Sequence, residues 1–190
     1  MTTKTITRPP GRAPGPSSGR PRRLVLPTPV GPLTLIGDDD ALTHVLLPTT
    51  KPGRATAAAG VASAAAEAVG SGRAPRPLAD AARQLDEYFA GRRRTFELAL
   101  APAGTTFQRR VWFALADIAY ATTISYATLA ARVGRPAAFR AVGQANGANP
   151  LPIVLPCHRV VATGGGLGGY GGGLDLKRAL LALEADSVLG

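Results

Sequence analysis

Apolar residues come in short, dense runs early in the chain and at helical spacing later. Residues 24–26, 33–36 and 42–47 are rich in Leu, Val and Ile, and they are split by Pro29-Val30-Gly31-Pro32 and by the acidic run Asp38-Asp39-Asp40. Apolar runs bounded by Pro, Gly and Asp predict short strands joined by turns. Residues 51–76 are rich in Ala and Gly and fit no single template. Leu78, Leu85 and Phe89 share one helical face over residues 78–89, and Gly91 ends that segment. Residues 96–100 read as a further strand, after which Ala101-Pro102-Ala103-Gly104 closes the first half.

The second half changes period. Phe107, Val111, Leu115 and Ile118 recur at i, i+4, i+8 and i+11, one apolar face of a helix that Thr105 or Thr106 can cap. A second helix, over residues 126–133, starts after Ser125, a suitable N-cap. Gly134-Arg135-Pro136 makes a tight turn, and a third helix covers residues 137–145. Helix, short Gly-containing turn and helix outline a helix-turn-helix, although any packed helical hairpin shares that outline. Ala138, Ala141, Gly143 and Ala145 leave little bulk around Arg140, so this helix can approach a surface such as a DNA groove closely. Residues 153–155 read as a short buried strand running straight into Pro156-Cys157-His158-Arg159.

Composition narrows the class. The 190 residues are 45% hydrophobic, enough for one compact domain or two small ones. No apolar run is long enough for a bilayer, and the basic N-terminus lacks the apolar stretch of a secretory signal. The expectation is a soluble cytoplasmic protein. Its net charge of +10 is unevenly spread: +6 on residues 1–23, 0 on 24–101 and +4 on 102–190. The first segment, rich in Pro, Gly and Arg, reads as a disordered basic tail; residues 24–101 and 102–190 read as two domains. Where the excess charge lies favours a polyanion meeting the C-terminal half.

Cys157 is the lone cysteine, so no internal disulfide can form, and with only His44 and His158 it cannot complete a four-ligand zinc site. Neither a metal nor a cofactor is expected. A thiol with an ordinary pKa of about 8.5 is a weak nucleophile without a base or a positive field. His158 is adjacent, but the two side chains meet only if the backbone turns sharply between them. Glu184, beside the apolar residues 178–183, is the candidate to orient the imidazole. Cys157, His158 and Glu184 together resemble a nucleophile–base–orienter triad. A lone buried Cys can also be a small hydrophobe and nothing more.

Pro156-Cys157-His158-Arg159-Val160-Val161 is similar to the active-site signature of the O6-alkylguanine-DNA alkyltransferases. The resemblance extends to Phe107-Gln108-Arg109-Arg110-Val111-Trp112, Ser125-Tyr126, Arg140-Ala141-Val142-Gly143, Asn149-Pro150 and Gly169-Tyr170-Gly171-Gly172-Gly173, in family order across residues 104–184. A weaker likeness covers residues 29–47, where Val30-Gly31-Pro32-Leu33-Thr34-Leu35 resembles the family's opening strand. The resemblance implies an α/β (α+β) chain: a small ribonuclease-H-like sheet domain followed by a winged-helix-like helical domain with the helix-turn-helix. It implies DNA repair by direct reversal, in which an alkyl group moves irreversibly from O6 of a flipped guanine to Cys157. The implied partner is double-stranded DNA containing O6-alkylguanine, met by a monomer.

Residue roles follow from the same resemblance. Cys157 is the acceptor, His158 takes its proton through a water, and Glu184 holds His158. Asn149 braces the turn before the cysteine. Tyr126 donates a hydrogen bond to the flipped base. Arg140 fills the vacated stack, on a helix whose Ala138, Ala141 and Gly143 face the DNA. Val160 and the loop of Gly168, Tyr170 and Gly171 line the guanine pocket. The chain departs from the family pattern at Ala119 and Ala121, where Pro and Gly are expected, and at Phe139, where a smaller residue is usual. Two other functions compete. A non-catalytic sensor of alkylated DNA would lack the acceptor cysteine that this chain has. A Cys-His-Glu hydrolase would need an oxyanion site that no motif supplies.

Overall fold

The computed structural model describes residues 20–48 and 74–189. Most of the expected tail, and nearly all of the Ala/Gly-rich stretch, lie outside the described residues. The chain divides into two compact units, Met1–Ala103 and Gly104–Gly190.

In the first unit, β1 (Arg22–Leu26), β2 (Leu33–Gly37) and β3 (Leu42–Leu46) form an antiparallel sheet in sequence order. β1 starts inside the segment expected to be tail, with Arg22 opposite Gly37 and Arg23 opposite Ile36. Ladder bonds need only backbone, and a strand at the sheet's edge can hold arginines on its open face. Asp38 Oδ1 accepts the amides of Asp40 at 2.9 Å and Ala41 at 3.0 Å, which turns the chain between β2 and β3.

Helix α1 (Arg76–Phe89) opens on a proline in its first turn and lays Leu78, Ala81, Leu85 and Tyr88 against buried Leu33, Leu35, Leu42 and Val45 of the sheet. The strand expected at residues 96–100 is reduced to one parallel bridge between Leu42 and Leu100. Glu97 explains this: its amide and carbonyl both bond to the Gln84 side chain, each at 2.8 Å. A helix side chain has taken the place of a partner strand.

In the second unit, α2 (Thr106–Leu115) begins with a capping box in which Thr105 and Gln108 satisfy each other's amides. Next come β4 (Ile124–Ser125) and α3 (Tyr126–Arg132), capped by Ser125, whose side chain accepts the amide of Thr128. Gly134, at φ 71°, turns the chain into a 3-10 turn (Pro136–Ala138), and α4 (Phe139–Gly147) follows. α4 starts two residues later than its apolar pattern suggested, because Pro136 opens a 3-10 turn with no capping side chain. The order α3, turn, α4 is a helix-turn-helix. A second 3-10 turn (Cys157–Arg159), β5 (Val160–Val161) and α5 (Leu174–Leu189) complete the unit, with β5 parallel to β4.

The core of this unit gathers Val111, Leu115, Leu129, Val142, Ile153, Val160 and Leu180, all buried. Trp112 Nε1 donates to the carbonyl of Ala145 at 2.7 Å and ties α2 to α4. The strand expected at residues 153–155 does not form. Ile153 sits at φ 73°, and Leu155 N–H reaches back to the carbonyl of Leu151 at 2.8 Å. This buried turn finds its polar partners in the Asn149 side chain instead of a neighbouring strand. A short apolar run reads the same way in either case. Among the described residues no helix is long and apolar enough to cross a membrane.

Candidate active site and DNA-facing helix

Cys157 opens the 3-10 turn and is 5% exposed. Its own N–H goes to the carbonyl of Leu155 at 2.8 Å, and Arg159 N–H goes to that of Pro156 at 3.0 Å. The cysteine therefore begins a tight turn and does not end a strand. The sharp bend between Cys157 and His158 that shared chemistry requires is supplied by this turn.

Asn149 holds the preceding segment from inside. Its Nδ2 donates to the carbonyl of Leu155 at 2.7 Å and its Oδ1 accepts the amide of Leu151 at 3.0 Å. One amide side chain thus closes both ends of the turn before Pro156. Asn146, also buried, donates from Nδ2 to the carbonyl of Cys157 at 3.5 Å.

Below the turn lies a buried charge cluster. His158 Nε2 lies 2.8 Å from Glu184 Oε1, and neither side chain is exposed. With its proton on Nε2 facing the carboxylate, His158 is left with Nδ1 as the basic nitrogen. Nδ1 is buried and makes no hydrogen bond to the protein. Arg159 grips the same carboxylate, with Nε at 2.9 Å from Oε2 and Nη2 at 2.8 Å from Oε1. Its Nη1 donates to the carbonyl of Ile118 at 2.8 Å, and its guanidinium lies over the ring of Tyr120. Glu184, read from the sequence as the partner of His158, holds Arg159 as well, so one carboxylate serves two adjacent residues.

Burial fixes the resting charges. It pushes the Cys157 thiol up to about 11, against the opposing pull of the Asn149 amide and the Lys177 ammonium. Burial also lowers the pKa of His158, against the hydrogen bond to Glu184, so the imidazole is neutral. For Glu184, burial alone would raise the carboxyl, but hydrogen bonds from His158 and Arg159 prevail and hold it at about 2. At neutral pH the turn therefore carries a protonated thiol and a neutral imidazole held by a carboxylate.

Tyr126, the first residue of α3, stands between two glycines. A side chain at Gly143 would meet its ring at 3.7 Å, and one at Gly168 would strike it at 2.9 Å. Gly168 is also at φ 65°, a second reason for glycine there. The Tyr126 hydroxyl points to the carbonyl of Gly169, 3.4 Å away. Burial and the nearby Cys157 raise its pKa, so it stays a donor. Tyr170 has an enclosed hydroxyl with no hydrogen-bond partner, and burial with Cys157 near by holds its pKa well above the usual tyrosine range. Tyr126 and Tyr170 thus both lie near Cys157, and Gly168 and Gly169 border Tyr126.

Lys177 fastens this loop, and the sequence reading missed it. It is fully buried, and its Nζ donates to the carbonyl of Val160 at 2.6 Å and to that of Leu167 through a very short bond. Lys177, Leu180 and Glu184 share one face of α5, so a cation and an anion at i and i+7 flank a core leucine. That pairing was the available signal.

α4 faces outward with Arg140, Ala141, Gln144 and Gly147, and its C-cap Ala148 is exposed too. Ala138 and Gly143 are half-buried. Gly143 makes room for Tyr126, a use of its small size separate from any approach to DNA. The guanidinium of Arg140 lies 5.8 Å from the ring centre of Phe139. From Ile118 to Leu174 the chain has no Asp or Glu, while Arg132, Arg135 and Arg140 are exposed. A surface of one sign beside a slim helix suits a phosphate backbone.

Known proteins match both units of the chain. Residues 106–186 match the family model described as the DNA binding domain of 6-O-methylguanine DNA methyltransferase, and residues 22–102 match its ribonuclease-like domain. The chain is 46% identical over 159 residues to the methylated-DNA--protein-cysteine methyltransferase of Mycolicibacterium paratuberculosis, covering 83% of this chain and 88% of that one. It is 39% identical to the protein of the same name from Methanosarcina barkeri, over 86% of this chain and 97% of the relative. The solved structure of Mycobacterium tuberculosis OGT in complex with DNA superposes with a TM-score of 0.71 at 40% identity, covering 88% of this chain and 93% of that one. With both domain models matched in order and these identities sustained over most of its length, the chain belongs to the 6-O-methylguanine DNA methyltransferase family.

Proposed function

We propose that this protein repairs DNA by taking the alkyl group of an O6-alkylguanine onto Cys157, once per molecule. The observation that carries the reading is the Cys157–Arg159 turn. There a buried thiol is followed directly by a neutral imidazole held by Glu184, and Tyr126 and Tyr170 lie near enough to Cys157 to interact with its charge.

In the reaction, Sγ attacks the alkyl carbon in line with the C–O6 bond. The S–C bond forms as the C–O6 bond breaks, and no oxyanion hole is needed. The thiol proton leaves through His158 Nδ1, by way of a water, and ends on the released guanine, which thus gains a proton in place of its alkyl group. Tyr126, kept protonated by its surroundings, donates to the leaving base. Glu184 stabilises the transient imidazolium. The product is a thioether, which water does not cleave, so the protein is consumed.

Reaching the thiol requires the base to leave the stack, at a cost of a few kcal/mol that poor pairing of an alkylated base reduces. Arg140, on the exposed face of α4, fills the vacated space. Val160, Tyr170 and Gly171 contact the flipped guanine. The partner is double-stranded DNA carrying O6-alkylguanine, bound by a single copy of the chain, in the cytoplasm.

Transfer from duplex carrying a labelled methyl group on guanine O6, followed by peptide mapping, tests the reading. One equivalent of label on Cys157 is expected. Cys157→Ser should take no label and still bind the alkylated duplex. Label on any other residue, or more than one turnover per protein, overturns the assignment.

A further inference from the structure

Phe139 is the one aromatic among the large hydrophobic side chains exposed in the described residues, 48% open to solvent on the first residue of α4. The residues around it in sequence are small apart from Arg140: Ala137, Ala138 and Ala141. A single exposed ring is ordinary on a protein surface; what marks this one is its place beside Arg140 on a helix otherwise built mostly of small residues.

The helix sets where the ring lies. Phe139, Gly143 and Asn146 stand at i, i+4 and i+7, so they form one stripe along α4. Gly143 faces Tyr126, and Asn146 reaches the carbonyl of Cys157. The stripe therefore runs along the pocket side of the helix, with Phe139 at its outer end. Arg140, next in sequence, begins the neighbouring exposed stripe with Gln144 and Gly147. Phe139 is thus placed between the arginine that faces the DNA and the pocket that would receive the base. The guanidinium sits within cation–π range of the ring, at 5.8 Å.

We infer that Phe139 is a second wedge residue, packing its ring against the sugars and base edges that flank the flipped nucleotide while Arg140 occupies the gap. The occupant of this exposed aromatic surface is double-stranded DNA. The surface around it, free of carboxylates from Ile118 to Leu174, is electrostatically matched to phosphate. Apolar wedges beside basic side chains are an established way for proteins to unstack a base step from the minor-groove side. The ring carries no charge, so its contribution differs in kind from that of the arginines: it is independent of counterion release. This inference rests on the alkyl-transfer reading.

The test compares single-turnover transfer from alkylated duplex with that from free O6-benzylguanine, for the wild type, Phe139→Ala and Phe139→Leu. The readout is the ratio of the two rates, which cancels any partial loss of folded protein. For Phe139→Ala the ratio should fall by about tenfold, the value of burying roughly half of a large apolar side chain, and the slope of duplex binding against salt should not change. Phe139→Leu, which keeps an apolar wedge without a π face, should recover most of the loss. 2-Aminopurine placed beside the lesion should show less unstacking fluorescence with Phe139→Ala than with the wild type. An unchanged ratio for Phe139→Ala overturns the inference. So does a leucine variant as impaired as alanine, which would assign the ring to holding Arg140 by cation–π contact. If the wild type transfers from neither substrate, the alkyl-transfer reading itself fails, an outcome separate from both.

Discussion

The amide of Ala121 donates to Glu184 Oε2 at 3.0 Å, and Ala121 makes that bond from the left-handed region, at φ 56°. The carboxylate that orients His158 thus also holds a strained loop residue. Family resemblance places glycine here, and the geometry explains why: a Cβ in this conformation costs about 1–2 kcal/mol, which glycine avoids. Ala121→Gly should raise unfolding stability by roughly 0.5–1 kcal/mol, after allowing for the greater freedom of glycine in the unfolded chain. Urea denaturation measures this. A lower midpoint in the variant would show that the loop relies on the alanine methyl.

Stability should decline in acid in two stages. His158 has a lowered pKa in the fold, so between its ordinary value of 6.5 and that lower value the unfolded chain binds a proton the native state refuses. Stability then falls as pH drops below about 6.5. Glu184 is held at about 2 against an ordinary 4.5, so its contribution, on the order of 3 kcal/mol, is present above 4.5 and is lost as pH falls toward 2. Denaturant titrations from pH 8 to pH 3 check both stages. Glu184→Gln should abolish the lower one and weaken the protein at neutral pH, because it leaves the Arg159 charge buried without its partner.

Lys177 is expected to act as a positioning residue with an electrostatic side effect. Lys177→Met removes the bonds to Val160 and Leu167, so amide hydrogen exchange across residues 162–172 should quicken while that in α2 does not. It also removes a cation that opposes the raised thiol pKa, so the pH profile of Cys157 alkylation by iodoacetamide should move to higher pH. Faster exchange with an unmoved profile would limit Lys177 to fastening the loop.

Arg140→Ala separates flipping from chemistry. Free O6-benzylguanine is never stacked, so only reaction with duplex needs the space-filling guanidinium. The ratio of duplex to free-base rate should fall by a factor corresponding to a few kcal/mol, and low salt should not restore it. Restoration at low salt would reduce Arg140 to a phosphate contact. Equal losses on both substrates would mark it as structural; among the described residues it has no acidic partner within ion-pair distance.

Much of this was legible beforehand, for physical reasons. The helix starts at Thr105 and Ser125 were written as caps, and the sheet as apolar runs between turn residues. Cys157, His158 and Glu184 stood out because a thiol, a base and a carboxylate are chemically conspicuous in apolar surroundings. The missing parts depend on partners distant in sequence. Residues 153–155 look like a strand until Asn149 is seen to bond to the backbone of Leu151 and Leu155. Lys177 looks like a surface lysine until Val160 and Leu167 close over it. Arg159 was hidden by the signature that contains it, and its hold on Glu184 spans 25 positions.

The carboxylate-free stretch from Ile118 to Leu174 has a kinetic consequence. A protein spent in one reaction gains nothing from fast turnover; its capacity is set by how quickly each copy finds a lesion. With no acidic side chain in that stretch to repel phosphate, and with Arg132, Arg135 and Arg140 exposed, undamaged DNA becomes a track along which the molecule can slide and hop. Loose attachment to the whole genome then shortens the time each lesion waits.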